Sequence, residues 1–342
     1  MVFIISKLYN FRIMTIKTIS SLGEFGLINS IKKGLSNTTK DKNIIVDIGD
    51  DCFCFKSGKD YIHITKDMLI ENVHFKIDWT TSYELGKKAI EVNVSDLAAM
   101  GNVTPKYIFI GFGVPSNTSE KFVKDLLKGI KETCNKYKIL LSGGDTVKSE
   151  KIIISVTVIG IGKSKPVKRT GAQVGDLIGV TNNFGDSGAG LHLLYKHGIK
   201  YNYTKSERVL VNAQNIPRAR LKESCKISKY LTSLTDASDG LFVSLNLITQ
   251  DSFKGAHIDI EKIPVSYNLK IVFNNNKQIL NFALFGAEDY QLVFTVPKSK
   301  SKIIKKLVPS ITYIGEIIYG KKVKYFYNGQ EQKIKYCGFK HF

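Results

Sequence analysis

Apolar positions along the chain fall into two rhythms, the three-to-four spacing of helices and the alternation or continuous run of strands. Positions 85, 89, 92 and 97 recur at helical spacing and predict a helix over 82–100, with Gly101 as its C-terminal stop. Residues 119–138 read the same way, with Phe122, Val123, Leu126, Ile130, Cys134 and Tyr137 facing inward. Strands are predicted over 61–65, 106–114 and 151–161, the last almost continuously β-branched and so expected to be buried.

Upstream, Gly23-Glu24-Phe25-Gly26 leads into a short amphipathic helix carrying Leu27, Ile28 and Ile31, followed by a polar loop over 35–43. The strand-like run from Val46 to Phe55 is interrupted by Gly49, Asp50 and Asp51. Four further acidic words answer it: Thr65-Lys66-Asp67-Met68, Asn93 to Gly101, Gly143-Gly144-Asp145-Thr146 and Asp236-Ala237-Ser238-Asp239-Gly240. The strand over 61–65 should deliver Asp67 to its end, where ligands gather in mixed α/β sheets. The run 139–142 reads as a strand passing into a loop at Gly143 to Thr146.

Gly160 to Pro166 marks a boundary, because a hydrophobic strand gives way there to Gly, Lys and Pro. The chain therefore divides into a lead over 1–20, a first domain over 21–162 and a second over 163–342. The second restarts with a turn and strand over 175–181. Gly185-Asp186-Ser187-Gly188-Ala189-Gly190 then opens a helix, and phosphate binding and close helix packing both explain those glycines. A basic helical segment over 201–230, a helix through 248, an acidic loop and strand over 283–295 and short terminal strands complete the pattern, without repeats or a long linker.

Composition narrows the classes. With 342 residues, 43% hydrophobic and 23% charged, the chain is globular and long enough for a sizeable core. No run approaches the roughly 18 apolar residues of a membrane span. The opening Met1 to Lys7 lacks the parts of a signal peptide and Met14 offers an alternative start, so a cytoplasmic protein is expected. Cys52, Cys54, Cys134, Cys225 and Cys337 have no zinc-site spacing, and Cys52 with Cys54 read as small buried apolar residues on one strand face. The net charge of +20 raises nucleic acid as an alternative class, but the lysines are spread along the whole chain and no helix-turn-helix, zinc finger or aromatic RNA-binding pattern occurs. A solvated basic surface that steers anionic phosphates is the favoured reading.

The carboxylates carry the chemistry. Buried acids are rare unless paired or metal-bound, and Asp96 shares a helix face with Asn93 amid small residues. Two carboxylates about 4 Å apart repel by roughly 4 kcal/mol at an effective dielectric near 20. Gathering Asp51, Asp67, Asp96, Asp145 and Asp236 would therefore require cations. All-oxygen ligands point to a hard ion, Mg²⁺ before Zn²⁺, and Mg²⁺ implies a nucleotide phosphate. Neither a Gly-x-x-x-x-Gly-Lys-Ser/Thr loop nor the protein-kinase signature is present.

These words, in this order, resemble those of the thiamine-monophosphate kinases: Ile48-Gly49-Asp50-Asp51, Thr65 to Phe75, Asn93 to Gly101, Gly143 to Thr146, Asp236 to Leu241 and Gly286 to Leu292. The resemblance runs from about Gly23 to the last residue and reaches the wider superfamily of aminoimidazole ribonucleotide synthetase. It implies a two-domain α/β (α+β) fold: an N-terminal mixed sheet with helices on one face, dimerising through the sheet, and a C-terminal α/β sandwich. It also implies transfer of the ATP γ-phosphate to thiamine monophosphate, with several Mg²⁺ ions and K⁺ as an optional further cation. By position, Asp51, Thr65, Asp67, Asp96, Asp145, Asp236 and Asp239 resemble metal ligands. Gly144, Asp145, Arg169 and Ser238 resemble ATP contacts, while His74, Glu288 and Tyr336 fall where the family holds thiamine monophosphate, Tyr336 replacing the usual Trp. Lys66 stands in place of a second hydroxyl, Ala287 and Gln291 alter the usual Gly-Gly-Glu-Asp-Tyr-Glu-Leu, and Asn182-Asn183 replace a Thr-Gly pair. Sibling enzymes fit less well: no reactive Cys/Lys pair lies near the N-terminus, and Cys337 is followed by five residues.

Overall fold

A computed structural model describes residues 19–35, 41–336 and 338. Helix α1 (Ile19–Leu35), kinked at Gly23, belongs to one compact unit, and residues 41–338 form another. The lead up to residue 18, including Met14, and Cys337 lie outside the described residues.

The larger unit begins with β1 (Ile44–Val46), β2 (Phe53–Ser57), β3 (Asp60–Ile70), α2 (Ser82–Ala99), β4 (Val103–Val114), α3 (Glu120–Tyr137), β5 (Leu140–Lys148) and β6 (Ile153–Gly162). Its strands make a six-stranded sheet in the order β1-β2-β3-β6-β4-β5, antiparallel except for the parallel β4–β5 pair. Helix α2 starts where Thr81 and Glu84 cap each other: the Glu84 amide donates to Thr81 Oγ1 at 3.2 Å and the Thr81 amide to Glu84 Oε2 at 2.9 Å. Leu85, Ile90 and Leu97 of α2 and Leu126 and Ile130 of α3 bury against Ile108, Ile154, Val156 and Val158 of the sheet. Helices therefore cover one face.

β6 was expected to be buried throughout, yet its residues alternate between fully and half-buried. The pleat sends 154, 156 and 158 under α2 and α3 and the other set to the opposite face. β5 is a second correction, because Gly143 to Thr146 lies inside a strand. Gly144 shows why: a Cβ there would sit 2.1 Å from the Ile110 carbonyl oxygen of β4, so its glycine permits close strand approach. Asp67 likewise lies within β3, which runs on to Ile70 through ten paired positions with β6.

The second half continues with β7 (Leu177–Val180), α4 (Asp186–His197), α5 (Lys205–Asn215), α6 (Leu221–Ile227), β8 (Ser233–Asp236), α7 (Leu241–Asp251) and β9 (Gly255–Asp259). It ends with α8 (Tyr267–Val272), α9 (Asn276–Phe285), β10 (Leu292–Val296), α10 (Ser301–Leu307), β11 (Thr312–Ile318), β12 (Val323–Tyr327) and β13 (Gln330–Gln332). The seven-stranded sheet has the order β13-β12-β9-β11-β7-β10-β8. Leu241, Leu245 and Ile248 of α7 pack with Ala283 to Phe285 of α9 over Ile178, Ile258, Val293 and Ile314. A separate cluster joins Leu234, Leu292, Phe294 and Ile304 to Ile227 of α6 and Ala98 of α2, so α2 reaches into both halves. No described helix is long and apolar enough to cross a membrane.

Candidate functional site

Three elements bring three carboxylates together. Asp51 sits in the turn between β1 and β2, Asp96 near the end of α2, and Asp236 at the end of β8, with one oxygen of each within 4.8 Å of the others. Each is held by a hydroxyl: Thr235 Oγ1 donates to Asp51 at 3.2 Å, Thr65 to Asp96, and Ser95 Oγ to Asp236 at 2.5 Å. Arg169 pairs with Asp51 Oδ1, while Asp51 Oδ2 is buried without a hydrogen-bond partner among the described residues. Asp50 accepts from the amides of Asp51 at 2.9 Å and Arg169 at 3.1 Å, and its Oδ1 lies 3.9 Å from Arg169 Nε.

The site is short of positive charge. Burial, then the neighbouring Asp67, Asp236 and Asp51 carboxylates, pushes the Asp96 carboxyl well above its ordinary range. Burial and Asp51 raise Asp236 to about 7, and burial with Asp239 and Glu288 raises Asp67 to about 6. Arg169 is one cation among these acids. A group of oxygens with an unpaired buried member and strained ionisation suits a hard divalent ion.

A second group adjoins this one electrostatically through Glu288. Lys88 of α2, its side chain only 5% exposed, places Nζ 2.8 Å from Glu288 Oε2 and 3.1 Å from the Gln214 carbonyl oxygen. The Gln214 side-chain amide donates to the same Oε2 and accepts from Ser187 Oγ at 2.6 Å. His74, whose Nδ1 accepts from the Ile70 amide at 3.1 Å, lines a small cavity with Phe75, Trp79, Thr80, Lys88 and Gln214. Glu288 and Tyr290 hold left-handed φ angles of 65° and 48°, conformations that cost of order 1–3 kcal/mol for such residues. They are fixed by the Glu288 amide on Ser238 O at 2.6 Å and the Tyr290 amide on Ala237 O at 3.1 Å.

The remaining sequence candidates are distributed as follows. Asp239 acts on Asp67, and Ser238 accepts the Glu288 amide. Gly144 and Asp145 lie on exposed edge strand β5, where Asp145 accepts from the Thr146 amide at 2.8 Å, and Asp145 is outside the three-carboxylate group. Tyr336 stacks on Phe242 at 5.4 Å between ring centroids and meets Phe285 edge-on, which is how a packed aromatic sits. Lys66 turns to the opposite face of β3 from Thr65 and Asp67, donating to Ser155 Oγ at 2.6 Å. Its ammonium therefore does not enter the cluster.

Two open sequence features gain explanations. The α4 N-terminus receives an internal anion: Gly185 and Ser187 amides donate to Asp289 at 2.6 and 3.0 Å. A Cβ on Gly190 would meet Leu210 O at 2.1 Å, which accounts for that glycine by packing. The departures Asn182 and Gln291 touch one another, with Gln291 Oε1 accepting from Asn182 at 3.2 Å, Thr181 at 3.0 Å and Arg220 at 2.8 Å. Lys88, Gln214, Ser95 and Thr235 were missed by sequence reasoning. Lys88 and Ser95, seven residues apart, share one stripe of α2, and that polar stripe on a buried helix was the available signal.

Residues 49–162 match the family model for the AIR synthase related protein N-terminal domain, and 173–328 the corresponding C-terminal domain. The thiamine-monophosphate kinase of Aquifex aeolicus is 37% identical over 325 residues, covering 95% of this chain and 99% of the relative. That of Bacillus subtilis is 34% identical, covering 83% and 87%. A solved structure of AaThiL complexed with AMPPCP and TMP superposes with a TM-score of 0.85 at 36% identity, covering 96% of this chain and all of that one.

Proposed function

The chain belongs to the thiamine-monophosphate kinase family, and we propose that Asp51, Thr65, Asp67, Asp96, Asp236 and Asp239 hold magnesium against the phosphates of its two substrates. The enzyme phosphorylates thiamine monophosphate with ATP, its co-substrate, to give thiamine diphosphate and ADP. The observation that carries the metal reading is the meeting of Asp51, Asp96 and Asp236, one oxygen of each within 4.8 Å of the others, together with a buried Asp51 Oδ2 that has no hydrogen-bond partner among the described residues. Asp145, on the exposed edge strand, serves as a further ligand in this reading.

Transfer is direct and in line. An oxygen of the acceptor phosphate bonds to the γ-phosphorus as the bond from that phosphorus to the β–γ bridging oxygen breaks, leaving its electron pair on ADP. The acceptor phosphate is largely ionised near pH 7, since the second pKa of a phosphomonoester is about 6, so no protein base is needed. Bound magnesium supplies charge neutralisation on the transferring group. The chain's own work is positioning. Gly144, Asp145, Arg169 and Ser238 hold ATP, with Arg169 bringing positive charge beside Asp51. His74 and Glu288 orient thiamine monophosphate, and Tyr336, with one face stacked on Phe242, turns its other face to the cationic ring.

Two further parts belong to the same reading. The domains divide at 162/163, between the two sheets. A cytoplasmic homodimer forms through the face of the first sheet opposite α2 and α3, supported by the exposure there of Tyr107, Phe109 and Met68 at 42%, 39% and 44%. Sedimentation at micromolar concentration should give twice the chain mass; a monomer removes this part alone. For the reaction, incubation with MgATP and thiamine monophosphate should yield thiamine diphosphate by mass. Asp67→Asn should abolish most turnover without unfolding the chain, and retained activity would sink the metal assignment.

A further inference from the structure

We propose that Lys88 is a positioning residue for the phosphoryl acceptor, acting through Glu288. This rests on the reading of Glu288 as an acceptor contact. Lys88 and Glu288 lie 200 positions apart in the chain and meet through a 2.8 Å ion pair that is nearly sealed from water, at 5% and 19% side-chain exposure. Both donors to this carboxylate, Lys88 Nζ and the Gln214 amide, converge on Oε2. Oε1 has no hydrogen-bond partner among the described residues. The clamp therefore fixes one oxygen and presents the other, an acceptor suited to the amino group of an aminopyrimidine.

The location makes a cation useful beyond holding the fold. Glu288 adds to the repulsion that Asp239 exerts on Asp67, so an unclamped Glu288 carboxylate would be driven away from the acidic site. Lys88 opposes that drift. It also ties α2, which carries Ser95 and Asp96, to the loop that carries Glu288, so that the acceptor end and the metal end share one rigid helix. The left-handed backbone at Glu288 indicates a conformation that other contacts must enforce. Lys88 itself reaches Gln214 O and Glu288 and so acts on the substrate only at second hand.

Steady-state kinetics on the full-length protein with MgATP and thiamine monophosphate tests this, comparing Lys88→Met, Lys88→Arg, Glu288→Gln and the double variant Lys88→Met/Glu288→Gln. Breaking a buried charge pair is expected to raise KM for thiamine monophosphate by about 10-fold or more in Lys88→Met, with KM for ATP changed by less than about 3-fold and partial rescue in Lys88→Arg. Glu288→Gln should raise the same KM, and the double variant should be no worse than Glu288→Gln. The double variant buries no orphan charge, so its comparison with Glu288→Gln decides the matter even where Lys88→Met fails to fold. A further rise in the double variant overturns the proposal by showing that Lys88 acts independently of Glu288. An unchanged KM in Glu288→Gln overturns the reading of Glu288 and the proposal together, whereas a raised KM there with a normal one in Lys88→Met overturns the proposal alone.

Discussion

Glu91 and Asp96 are acids on the same helix with opposite fates. Glu91 is 3% exposed and fully satisfied: it accepts from Lys136 Nζ at 2.6 Å, Tyr137 OH at 2.7 Å and the Ala219 amide at 2.9 Å. Asp96 accepts from Thr65 and otherwise confronts Asp51, Asp67 and Asp236. Five positions on an α-helix turn the side chain by about 140°, so the two acids look into different surroundings. Burial therefore does not mark a working carboxylate. What distinguishes Asp96 is a surplus of acids over donors, an arrangement that a bound cation would relieve.

That contrast can be broken most directly at Asp96. Asp96→Asn should lower kcat by roughly 10³-fold, the scale of losing a principal electrostatic group in an active site, while thermal unfolding stays as high as in the parent because a repelled charge is gone. A melting temperature lowered by more than a few degrees would make Asp96 a structural acid like Glu91. Next in size is the response to the ion. Mg²⁺ at about 100 times its Kd should stabilise the protein by about 2.7 kcal/mol, an effect lost in Asp96→Asn and kept in Glu91→Gln; urea unfolding with and without chelator reads both.

Glu91→Gln sharpens the other side. It should cost about 2 kcal/mol in urea unfolding, below the roughly 3–5 kcal/mol of a fully buried pair because Lys136 is half exposed, while the folded enzyme keeps its kcat. Collapse of kcat in a well-folded Glu91→Gln protein would erase the distinction. The smallest effect belongs to Lys66→Thr, which restores a hydroxyl on the face of β3 away from the cluster. Activity should change by no more than about 2-fold, as for an ordinary surface substitution, and a large gain would place that side chain back in the site.

Much of the fold was legible because its signals are local. The helices α2 and α3 follow from the spacing of residues such as Leu85, Ala89, Leu126 and Ile130, which are buried as that spacing requires. Gly143 to Thr146 was misread as a loop because glycine with aspartate commonly makes turns; parallel pairing with β4 overrides that tendency. The α4 N-terminus carried an ambiguous glycine signal, and Asp289, about a hundred positions away, resolved it.

The sequence by itself determined which segments alternate, which coil, and which acids recur beside Gly, Ser and Thr. It also carried the order of motifs by which the family is known. Only the tertiary structure decided that Asp51, Asp96 and Asp236 share one small volume while Asp145 stays on an exposed edge, that Glu91 is neutralised, and that Lys88 meets Glu288. The physical reason is range. Propensity and periodicity act over a few residues, whereas the charge state and partners of a buried group are set by whatever the folded chain brings within a few ångströms of it.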